Sequence, residues 1–490
     1  MTFATFLDFA AVAIALLVTL GLYERKHNRA LPPGPRGWPL IGNVFDVPKS
    51  QPWKMFAQWG DLWGDMVYMN YLGQPIVILN SARAAREMLE KKGAFYSDRP
   101  VFTFLGRMVG WDNIMPFLPY GPRHRESRRL FAPVLGSRTT LERFIPLMEY
   151  QISRILPRLI RYPNDIVEQV LKTVTGVILS MAYGYRPQEE NDRFVQMVKP
   201  VIEDFSLATS LGAFLVDSIP LLRYVPAWMP GANWKKSVTP WRRHLETLAE
   251  EPFAFAKEQM ASGKAAPSFA FAYLQGDVSP DRELLVKMAA ASIFSTFFVA
   301  MLQYPNVLKK AQQEIDTVIG TDRIPRVEDR DGLPYVNALV SEVYRWHPPV
   351  PLGMPHRLTK DDVHAGYFLP KGTIVKMLHD PEVYADPFTF NPDRFLSSGN
   401  TKPEPDPREV LWGFGRRICP GQHPADTCIY LILVKIIATF DIVKLRINGV
   451  VDEPPAEFTT GTVSRPKPFN CVTTPRSAKA EALIHEIALD

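Results

Sequence analysis

Apolar residues recur at three- and four-residue spacing along much of the chain, which is the pattern of amphipathic helices. Alternating or β-branched runs are few. Met66–Leu79 predicts a hairpin, and Tyr367–Val375 predicts a second strand pair that turns at Pro370-Lys371-Gly372. The pattern therefore predicts a mainly α body with a small β region. The clearest helical segments are Ala82–Lys92, Leu141–Leu159, Ile166–Tyr183, Trp241–Gly263, Asp281–Leu302 and Asn306–Ile319.

The most apolar stretch lies at the start of the chain, where Phe3–Tyr23 contains a single charged residue, Asp8. About 20 apolar residues span a bilayer. Arg25, Lys26 and Arg29 follow the stretch, and the positive-inside rule then places the rest of the chain in the cytosol. A cleaved signal peptide is the alternative, but no small-residue cleavage site follows and the basic flank is on the wrong side. We expect a single-pass anchor in the endoplasmic reticulum membrane.

The chain divides into three parts on this interpretation: an anchor at 1–24, a basic and proline-rich hinge at 25–36, and one catalytic body at 37–490. The hinge contains Pro32-Pro33-Gly34-Pro35, which cannot continue a helix. Beyond it we find no long linker and no internal repeat. A transporter or receptor is disfavoured, because only one stretch of the sequence is apolar enough to span and the other helices are amphipathic.

The composition of the chain excludes several classes of protein. The 490 residues include 56 Lys+Arg and 51 Asp+Glu, and a net charge of +5 is too mild to argue for nucleic acid as a partner. Apolar residues make up 46%, which excludes a disordered chain. Neither G-x-G-x-x-G nor G-x-x-x-x-G-K-[ST] occurs, so the sequence offers no nicotinamide, flavin or nucleotide site. Redox chemistry would need electrons from a source outside this chain.

The segment Trp412–Gly421, WGFGRRICPG, places Cys419 directly before a stretch with helical periodicity. A thiolate there would be stabilised by the N–H groups and the positive dipole end of the helix. A free cysteine is more often a small buried hydrophobe. Cys428 falls inside the following helix and Cys471 in a late strand, so neither has competing geometry. Three glycines let the chain fold tightly beneath a flat ligand: Gly413, Gly415 and Gly421.

This segment resembles the heme loop of the cytochrome P450 family, F-x-x-G-x-R-x-C-x-G. Gly415, Arg417, Cys419 and Gly421 match it, and Trp412 replaces the phenylalanine. The resemblance covers essentially the whole chain and is strongest to fungal membrane-bound members. It implies a P450-like fold and a thiolate-ligated heme b (iron protoporphyrin IX) with Cys419 as the axial iron ligand. It also implies a monooxygenase, in fungal secondary or xenobiotic metabolism.

A second match lies upstream. Glu342 and Arg345 are three residues apart on a predicted helix that stops at Pro348-Pro349, so their side chains share a face. Such a pair alone is usually a solvated surface contact. The order E-x-x-R, then Asn391–Phe395, then the cysteine loop is similar to the P450 order. The resemblance implies that Glu342, Arg345 and Arg394 form a charged triad that supports the heme loop.

The resemblance also implies which side chains hold the two heme propionates. In place of the family's W-x-x-x-R, this chain has His124 and Arg128, and the histidine keeps an N–H donor. Arg417 in the heme loop, His356 after the E-x-x-R helix, and Arg99 match other propionate contacts. The alternative for each residue is an ordinary surface cation.

Partners and substrate follow from the same resemblance. The expected partners are an NADPH-cytochrome P450 reductase and cytochrome b5 as a second candidate. The expected substrate is a lipophilic small molecule, namely a terpenoid, steroid, aromatic or fatty compound. A basic face would dock the acidic reductase: Arg123, Arg125, Arg129 and Arg416. Apolar residues would contact substrate, unless they are plain core: Phe102, Phe104, Phe117, Leu352 and Val463.

The sequence departs from the family in the long helix Asp281–Leu302. The oxygen-activating segment [AG]-G-x-[DE]-T is absent, and the flanking stretches meet at Ser295-Thr296 as if about ten residues, roughly 15 Å of helix, were missing. A second short loss follows Val375. Altered splicing or a faulty gene model would explain both losses. Ser295 and Thr296 are candidate substitutes for the proton relay. The alternative function is a catalytically impaired, heme-binding or heme-free pseudoenzyme.

Overall fold

A computed structural model of the chain describes residues 30–48, 50–210, 212–266, 268–273, 295–377, 383–397, 399, 402–454 and 457–489. The side chains of 131–134, 272–273 and 489 are not described. Several predictions lie outside these residues: the anchor at 1–24, the start of the hinge at 25–29, the crossing helix up to residue 294, and the segment 378–380 after the second expected loss.

Helices dominate the described part of the chain, as the hydrophobic spacing predicts. π-helical turns at Arg86–Lys91 and Thr103–Val109 add to them. The helices are α1 Pro52–Trp63, α2 Ala82–Ala85, α3 Gly93–Tyr96, α4 Pro122–Leu135, α5 Arg138–Leu141, α6 Ile145–Ser153, α7 Ile155–Arg161, α8 Ile166–Tyr183, α9 Arg193–Ala208, α10 Leu215–Ser218, α11 Val238–Ala261, α12 Phe269–Tyr273, α13 with its described part at 295–303, α14 Pro305–Val318, α15 Pro334–Trp346, α16 Arg408–Leu411, α17 Gln422–Thr439 and α18 Ala478–Leu489.

The single helix predicted over Leu141–Leu159 is wrong, because the structure divides this stretch into α6 and α7. Pro146 lies in the first turn of α6, where its missing N–H costs nothing. Pro157 lies in the first turn of α7, and its ring would clash with the carbonyl of Ser153 if one helix ran through both. The two prolines therefore set where each helix begins.

In the part of the chain that the structure describes, the strands form one four-stranded sheet, in the order β1-β2-β6-β3, and three two-stranded sheets. The predicted hairpin is confirmed, with β1 and β2 in antiparallel register from Met66 opposite Leu79 to Tyr71 opposite Gln74. The strands are β1 Met66–Tyr71, β2 Gln74–Leu79, β3 His356–Arg357, β4 Asp362–His364, β5 Tyr367–Leu369, β6 Ile374–Met377, β7 Phe440–Lys444, β8 Arg446–Ile447, β9 Val450–Val451 and β10 Cys471–Pro475.

The second predicted strand pair is wrong in its pairing. A turn is present, since Thr373 N donates to Pro370 O at 3.1 Å. However, β5 pairs with β4, while β6 pairs with β2 and β3. Gly372 N donates to Leu358 O, and Leu358 N donates to Thr373 O. These bonds attach the turn to the chain beside β3 and send β6 into the larger sheet.

The main core surrounds α17, in which every residue from 424 to 439 is buried. Helices α6, α7, α8, α13, α14 and α15 pack their apolar residues into the same core. Within the described ranges, one helix, α8, is long and apolar enough to cross a membrane, and 67% of its most apolar window is buried inside the protein. This burial makes α8 a core helix. At the hinge, Tyr68 N donates to Pro33 O at 2.8 Å and attaches that segment to β1.

Candidate active site

A cavity of about 670 Å³ lies where the Trp412–Gly421 segment meets α4 and the chain at 348–356. Cys419 is one of its lining residues and is partly accessible. Most of the other lining side chains are apolar, with basic side chains among them. The cavity therefore offers a sulfur atom and positive charge on an apolar background.

The backbone of the Trp412–Gly421 segment holds Cys419 in place. Its N–H donates to Trp412 O at 2.7 Å, and α17 begins three residues later at Gln422 with Gly421 as its N-cap. Gly415 adopts a φ of +52°, and a Cβ there would lie 2.7 Å from Leu89 O. Glycine is thus required at this position both for backbone conformation and for space. The sulfur precedes the N-terminus of a buried helix, as the sequence predicts.

The other two cysteines lie away from this cavity. Cys428 is buried within α17 and Cys471 within β10, and neither is among the described lining residues. Burial raises the pKa of each thiol to about 12. Both are protonated at neutral pH and are unsuited to hold a metal as thiolates.

Arg417 and Arg99 bring buried positive charge to the cavity. Arg417 donates from Nε to Ser97 O and from Nη2 to Leu118 O, each at 2.7 Å, while its buried Nη1 has no hydrogen-bond partner among the described residues. Arg99 donates to the carbonyl oxygens of Pro116, Met354 and Pro355 at 2.7–3.0 Å. Burial lowers the pKa of Arg417 to about 10. Burial, and then the charge of Arg417, hold the pKa of Arg99 well below its usual value.

The other three predicted propionate contacts, His124, Arg128 and His356, line the same cavity. His356 is buried, and its Nδ1 donates to Tyr96 O at 2.7 Å. Burial, and then Arg99, hold the pKa of His356 well below its usual value. His124 is buried too, with its ring 5.6 Å from that of Tyr120. Arg128 donates from Nη1 to Ile418 O at 2.6 Å. Burial lowers its pKa, and the nearby Cys419 opposes that shift.

These charges fit an anionic cofactor. Asp98, the carboxylate beside Arg99, is already paired with Arg357 at 2.5 Å. A buried cation without an anionic partner costs several kcal/mol of desolvation free energy. Arg417 Nη1 is also a buried donor that can still form a hydrogen bond to a ligand. A flat group with a metal for the sulfur and two carboxylates for the arginines satisfies both requirements. Heme is such a group.

The structure brings Glu342, Arg345 and Arg394 together in a buried cluster. Glu342 is fully buried and accepts from Arg345 Nε at 2.6 Å and Nη2 at 2.8 Å, and from Arg394 Nε at 3.3 Å. It also accepts from the backbone N–H of Asn391 at 2.6 Å. Arg345 donates onward to Pro387 O at 2.7 Å. One carboxylate thus joins α15 to the segment that precedes the cysteine loop.

A second buried charge cluster was missed by the sequence analysis. Asp426, in α17, pairs with Arg408 at 2.9 Å and Arg330 at 2.8 Å, and accepts from Tyr344 Oη at 3.1 Å. Burial alone raises the pKa of Asp426, but the two arginines outweigh burial and lower it to about 2. The sequence did contain a signal for this cluster: Asp426 is an acid within the apolar run that follows Cys419, and an acid buried in such a run requires a charged or hydrogen-bonding partner.

The five predicted substrate residues are divided between different environments. Val463 lines the cavity. Phe104 is fully buried and stacks on Phe214 at 3.6 Å, and Phe102 and Phe117 belong to the same aromatic cluster. Leu352 packs beside β1 and β2. Phe102, Phe104, Phe117 and Leu352 are not among the described lining residues of this cavity.

The proposed relay residues are also placed away from the described lining. Ser295 and Thr296 begin the described part of α13, and both are buried. The residues that follow them in α13 pack into the main core. The described lining of the cavity includes neither Ser295 nor Thr296.

Comparison with known proteins agrees with this site. The family model for cytochrome P450 matches residues 32–281 and 289–472. Cytochrome P450 monooxygenase 208 of Postia placenta is 49% identical, over 97% of this chain and 96% of its own length. Cytochrome P450 monooxygenase claR of Ampulloclitocybe clavipes is 40% identical, over 98% of this chain and 93% of its own length.

The same comparisons bear on the expected losses. The family match omits residues 282–288, close to the junction at Ser295-Thr296. The alignment with the Postia placenta protein spans 491 residues, whereas 97% of 490 is about 475, so about 16 positions of that relative have no counterpart here. Because the family model matches most of the chain and the two relatives are 49% and 40% identical to it, the chain belongs to the cytochrome P450 family of heme-thiolate monooxygenases, whose cofactor is heme b.

Proposed function

We propose that this chain is a membrane-anchored monooxygenase that inserts one atom of O₂ into a lipophilic small molecule, with two electrons supplied by an NADPH-dependent reductase. The observation that carries the proposal is the cavity that Cys419 shares with the buried cations Arg99 and Arg417. These residues present a metal ligand and charges for two carboxylates within one apolar enclosure. We expect the enzyme to act in fungal secondary or xenobiotic metabolism.

Cys419 is the proposed axial ligand of the heme iron. Its place before the N-terminus of α17 favours the thiolate, because the N–H groups and dipole of that helix stabilise negative charge. The bound heme would supply the activation of O₂, which a thiolate ligand promotes by donating electron density. Trp412, Gly415 and Gly421 are proposed to shape the loop that presents the sulfur.

Five basic residues are proposed to hold the propionates: Arg99, His124, Arg128, His356 and Arg417. Their placement around one cavity supports this role, and so does the open Nη1 of Arg417. Two unit charges 4 Å apart attract by about 4 kcal/mol at an effective dielectric constant of 20. An anion would therefore stabilise these desolvated side chains as well as being held by them.

Glu342, Arg345 and Arg394 are proposed to support the heme loop rather than to take part in chemistry. Their hydrogen bonds fix the chain at 387–391 against α15. Asp426 and Arg408 extend this support by joining α16 and α17, the two helices on either side of the cysteine loop.

The substrate is proposed to be a terpenoid, steroid, aromatic or fatty compound. Apolar side chains such as Met115, Val350, Met354 and Val463 make up much of the described cavity wall. Such a wall gains free energy by removing apolar ligand surface from water, about 25 cal/mol per Å². Phe102, Phe104 and Phe117 are proposed as substrate contacts for a ligand that extends beyond the described lining to their aromatic cluster.

The reductase is proposed to bind the basic face of Arg123, Arg125, Arg129 and Arg416, with cytochrome b5 as a second candidate. All four arginines are exposed, which suits a docking role. Charge steering of this kind weakens as salt shortens the Debye length. A membrane anchor at 1–24, in the endoplasmic reticulum, would hold both proteins on one surface.

A heme-binding pseudoenzyme is the second candidate. The family match breaks at 282–288, and about 16 positions of a relative have no counterpart in this chain. The relay would then depend on Ser295 and Thr296, which are absent from the described lining of the cavity. Proton delivery during oxygen activation is a general acid task, so its loss would lower product formation without removing heme.

A reconstitution experiment distinguishes the two candidates. The full chain and a fungal NADPH-cytochrome P450 reductase are placed in phospholipid vesicles with isotopically labelled O₂ and a panel of terpenoids, steroids, aromatics and fatty acids. A monooxygenase gives a product that carries one labelled oxygen atom. Protein that contains heme and is reduced by the reductase, yet gives no labelled product across the panel, is the pseudoenzyme.

A further inference from the structure

His347 lies at the junction between a helix of the heme-supporting triad and the cavity wall. It directly follows Trp346, the last residue of α15, and directly precedes the chain at 348–354, most of which lines the cavity. The side chain is 5% exposed. Because His347 is buried and directly precedes the lining residues, the contacts that hold its side chain also help to set the position of the cavity wall.

The chain at 457–467 forms a narrow hairpin whose tip reaches the same cavity. Phe458 and Pro466 pair across it, and Thr459 N donates to Arg465 O at 2.7 Å. Val463, near the tip, is the residue of this hairpin that lines the cavity. The outer side of the tip is held by Thr462, whose hydroxyl donates to Thr209 O at 3.1 Å, and by Thr460, which accepts from Gln51 N at 3.2 Å. The side that faces the chain at 347–350 depends on a different contact.

His347 and Ser464 join the hairpin to the chain that follows α15. His347 Nε2 lies 2.9 Å from Ser464 Oγ, and the hydroxyl donates its one hydrogen to Thr459 O at 2.8 Å. Ser464 therefore accepts from the imidazole N–H. Ser464 N also donates to Pro349 O at 2.9 Å, and the imidazole stacks on the ring of Phe458 at 3.5 Å.

We propose that His347 and Ser464 are positioning residues that set the shape of the substrate-binding part of the cavity. Their hydrogen bond, together with the backbone bond from Ser464 N to Pro349 O, fixes Val463 on one side relative to Pro349 and Val350 on the other. This inference rests on the proposed function, because it takes this wall as the one that contacts substrate. Neither residue touches the reacting atoms in this account.

Spectral titration of the ferric heme protein tests the proposal without a known substrate. Imidazole and 4-phenylimidazole are the probes, because both are ligands of heme iron but only the second carries a further ring that would reach the wall. A buried hydrogen bond of this kind corresponds to about a threefold to tenfold change in an equilibrium constant. We expect Ser464→Ala to weaken 4-phenylimidazole by this factor and to leave imidazole within about twofold.

Variants at His347 separate the hydrogen bond from the stacking. His347→Phe keeps a ring against Phe458 but removes the donor to Ser464, and it should weaken 4-phenylimidazole selectively, as Ser464→Ala does, although Ser464→Ala also removes the bond to Thr459 O. His347→Gln keeps a donor at the position of Nε2 and should retain wild-type selectivity between the probes. The double variant Ser464→Ala with His347→Phe should weaken 4-phenylimidazole by less than the sum of the two single effects, because both changes remove the same His347–Ser464 bond. The control is Ser262→Ala, which removes a local hydroxyl bond to Gln259 O at an exposed site.

Equal weakening of both probes, or additive effects in the double variant, would overturn the proposal. Amide hydrogen exchange over 457–467 is the second readout and does not depend on heme: faster exchange in Ser464→Ala and His347→Phe supports the proposal, and unchanged exchange overturns it. A wild-type protein with no heme absorbance would instead refute the proposed function, while hydrogen exchange would still decide the role of His347 and Ser464.

Discussion

Replacement of Glu342 by glutamine should destabilise the protein more than any surface charge change. The glutamine side chain would keep the size of the original but remove the charge that Arg345 and Arg394 share. Both arginine side chains are at most 5% exposed, so neither can regain water without local opening. One amide NH₂ would also face a guanidinium N–H that now donates at 2.6–2.8 Å, placing donor against donor.

The expected magnitude follows from the burial of the cluster. Removing one partner of a buried ion pair costs about 3–5 kcal/mol. An unfolding entropy of about 2.1 cal/mol/K per residue gives about 1 kcal/mol/K for a chain of 490 residues. The melting temperature should therefore fall by about 3–5 °C. Arg394 keeps its bond to Glu404 at 2.8 Å, which limits how far the damage spreads.

The assay is thermal unfolding followed by tryptophan fluorescence, with heme content measured in each sample because a bound ligand shifts the transition. Glu409→Gln is the matched control, since Glu409 pairs with Arg86 at the surface, where such pairs contribute little. We expect the control to shift the melting temperature by about 1 °C or less. Equal shifts for Glu342→Gln and Glu409→Gln would refute the reasoning.

Three further predictions concern the loop, the second charge cluster and catalysis. Gly415→Ala should lower the heme-to-protein ratio because Leu89 O blocks its Cβ, whereas Gly449→Ala, with open space around it, should not; retained heme in both contradicts this. The pKa of Asp426 is depressed from 3.8 to about 2, so its stabilisation is lost as pH falls through that window. The difference in unfolding free energy between wild type and Asp426→Asn, from urea titrations, should shrink there, and a constant difference would exclude the linkage. Consumption of NADPH by the reconstituted enzyme should exceed product formation, and near-complete coupling would defeat the missing-relay hypothesis.

The sequence predicted those parts of the fold that depend on local patterns. The spacing over Ile166–Tyr183 predicted α8 with its observed bounds, and the alternation over Met66–Leu79 predicted the β1-β2 hairpin. The pairing of β5 and β6 could not be predicted in this way. It depends on backbone hydrogen bonds between the turn at 370–373 and Leu358, and backbone bonds between distant residues leave no pattern in the side-chain sequence.

In the candidate site, too, the local sequence pattern predicted some features, whereas long-range contacts determined the others. Helical spacing placed Glu342 and Arg345 on one face, but only the structure shows the pair fully buried. Asp426 gave a weak signal because its partners, Arg330 and Arg408, lie 96 and 18 residues before it in the sequence, beyond the reach of a helical pattern. The stacking of Phe104 on Phe214 is a long-range contact that no local pattern contains.

The reduced, carbon monoxide-bound difference spectrum tests the central claim, that Cys419 ligates heme, most directly. It should be recorded for the wild type, Cys419→Ala and the control Cys428→Ala, whose thiol is buried in α17. We predict the Soret band of thiolate-ligated heme in the wild type and in Cys428→Ala, and its loss in Cys419→Ala. The same band in Cys419→Ala would contradict the account.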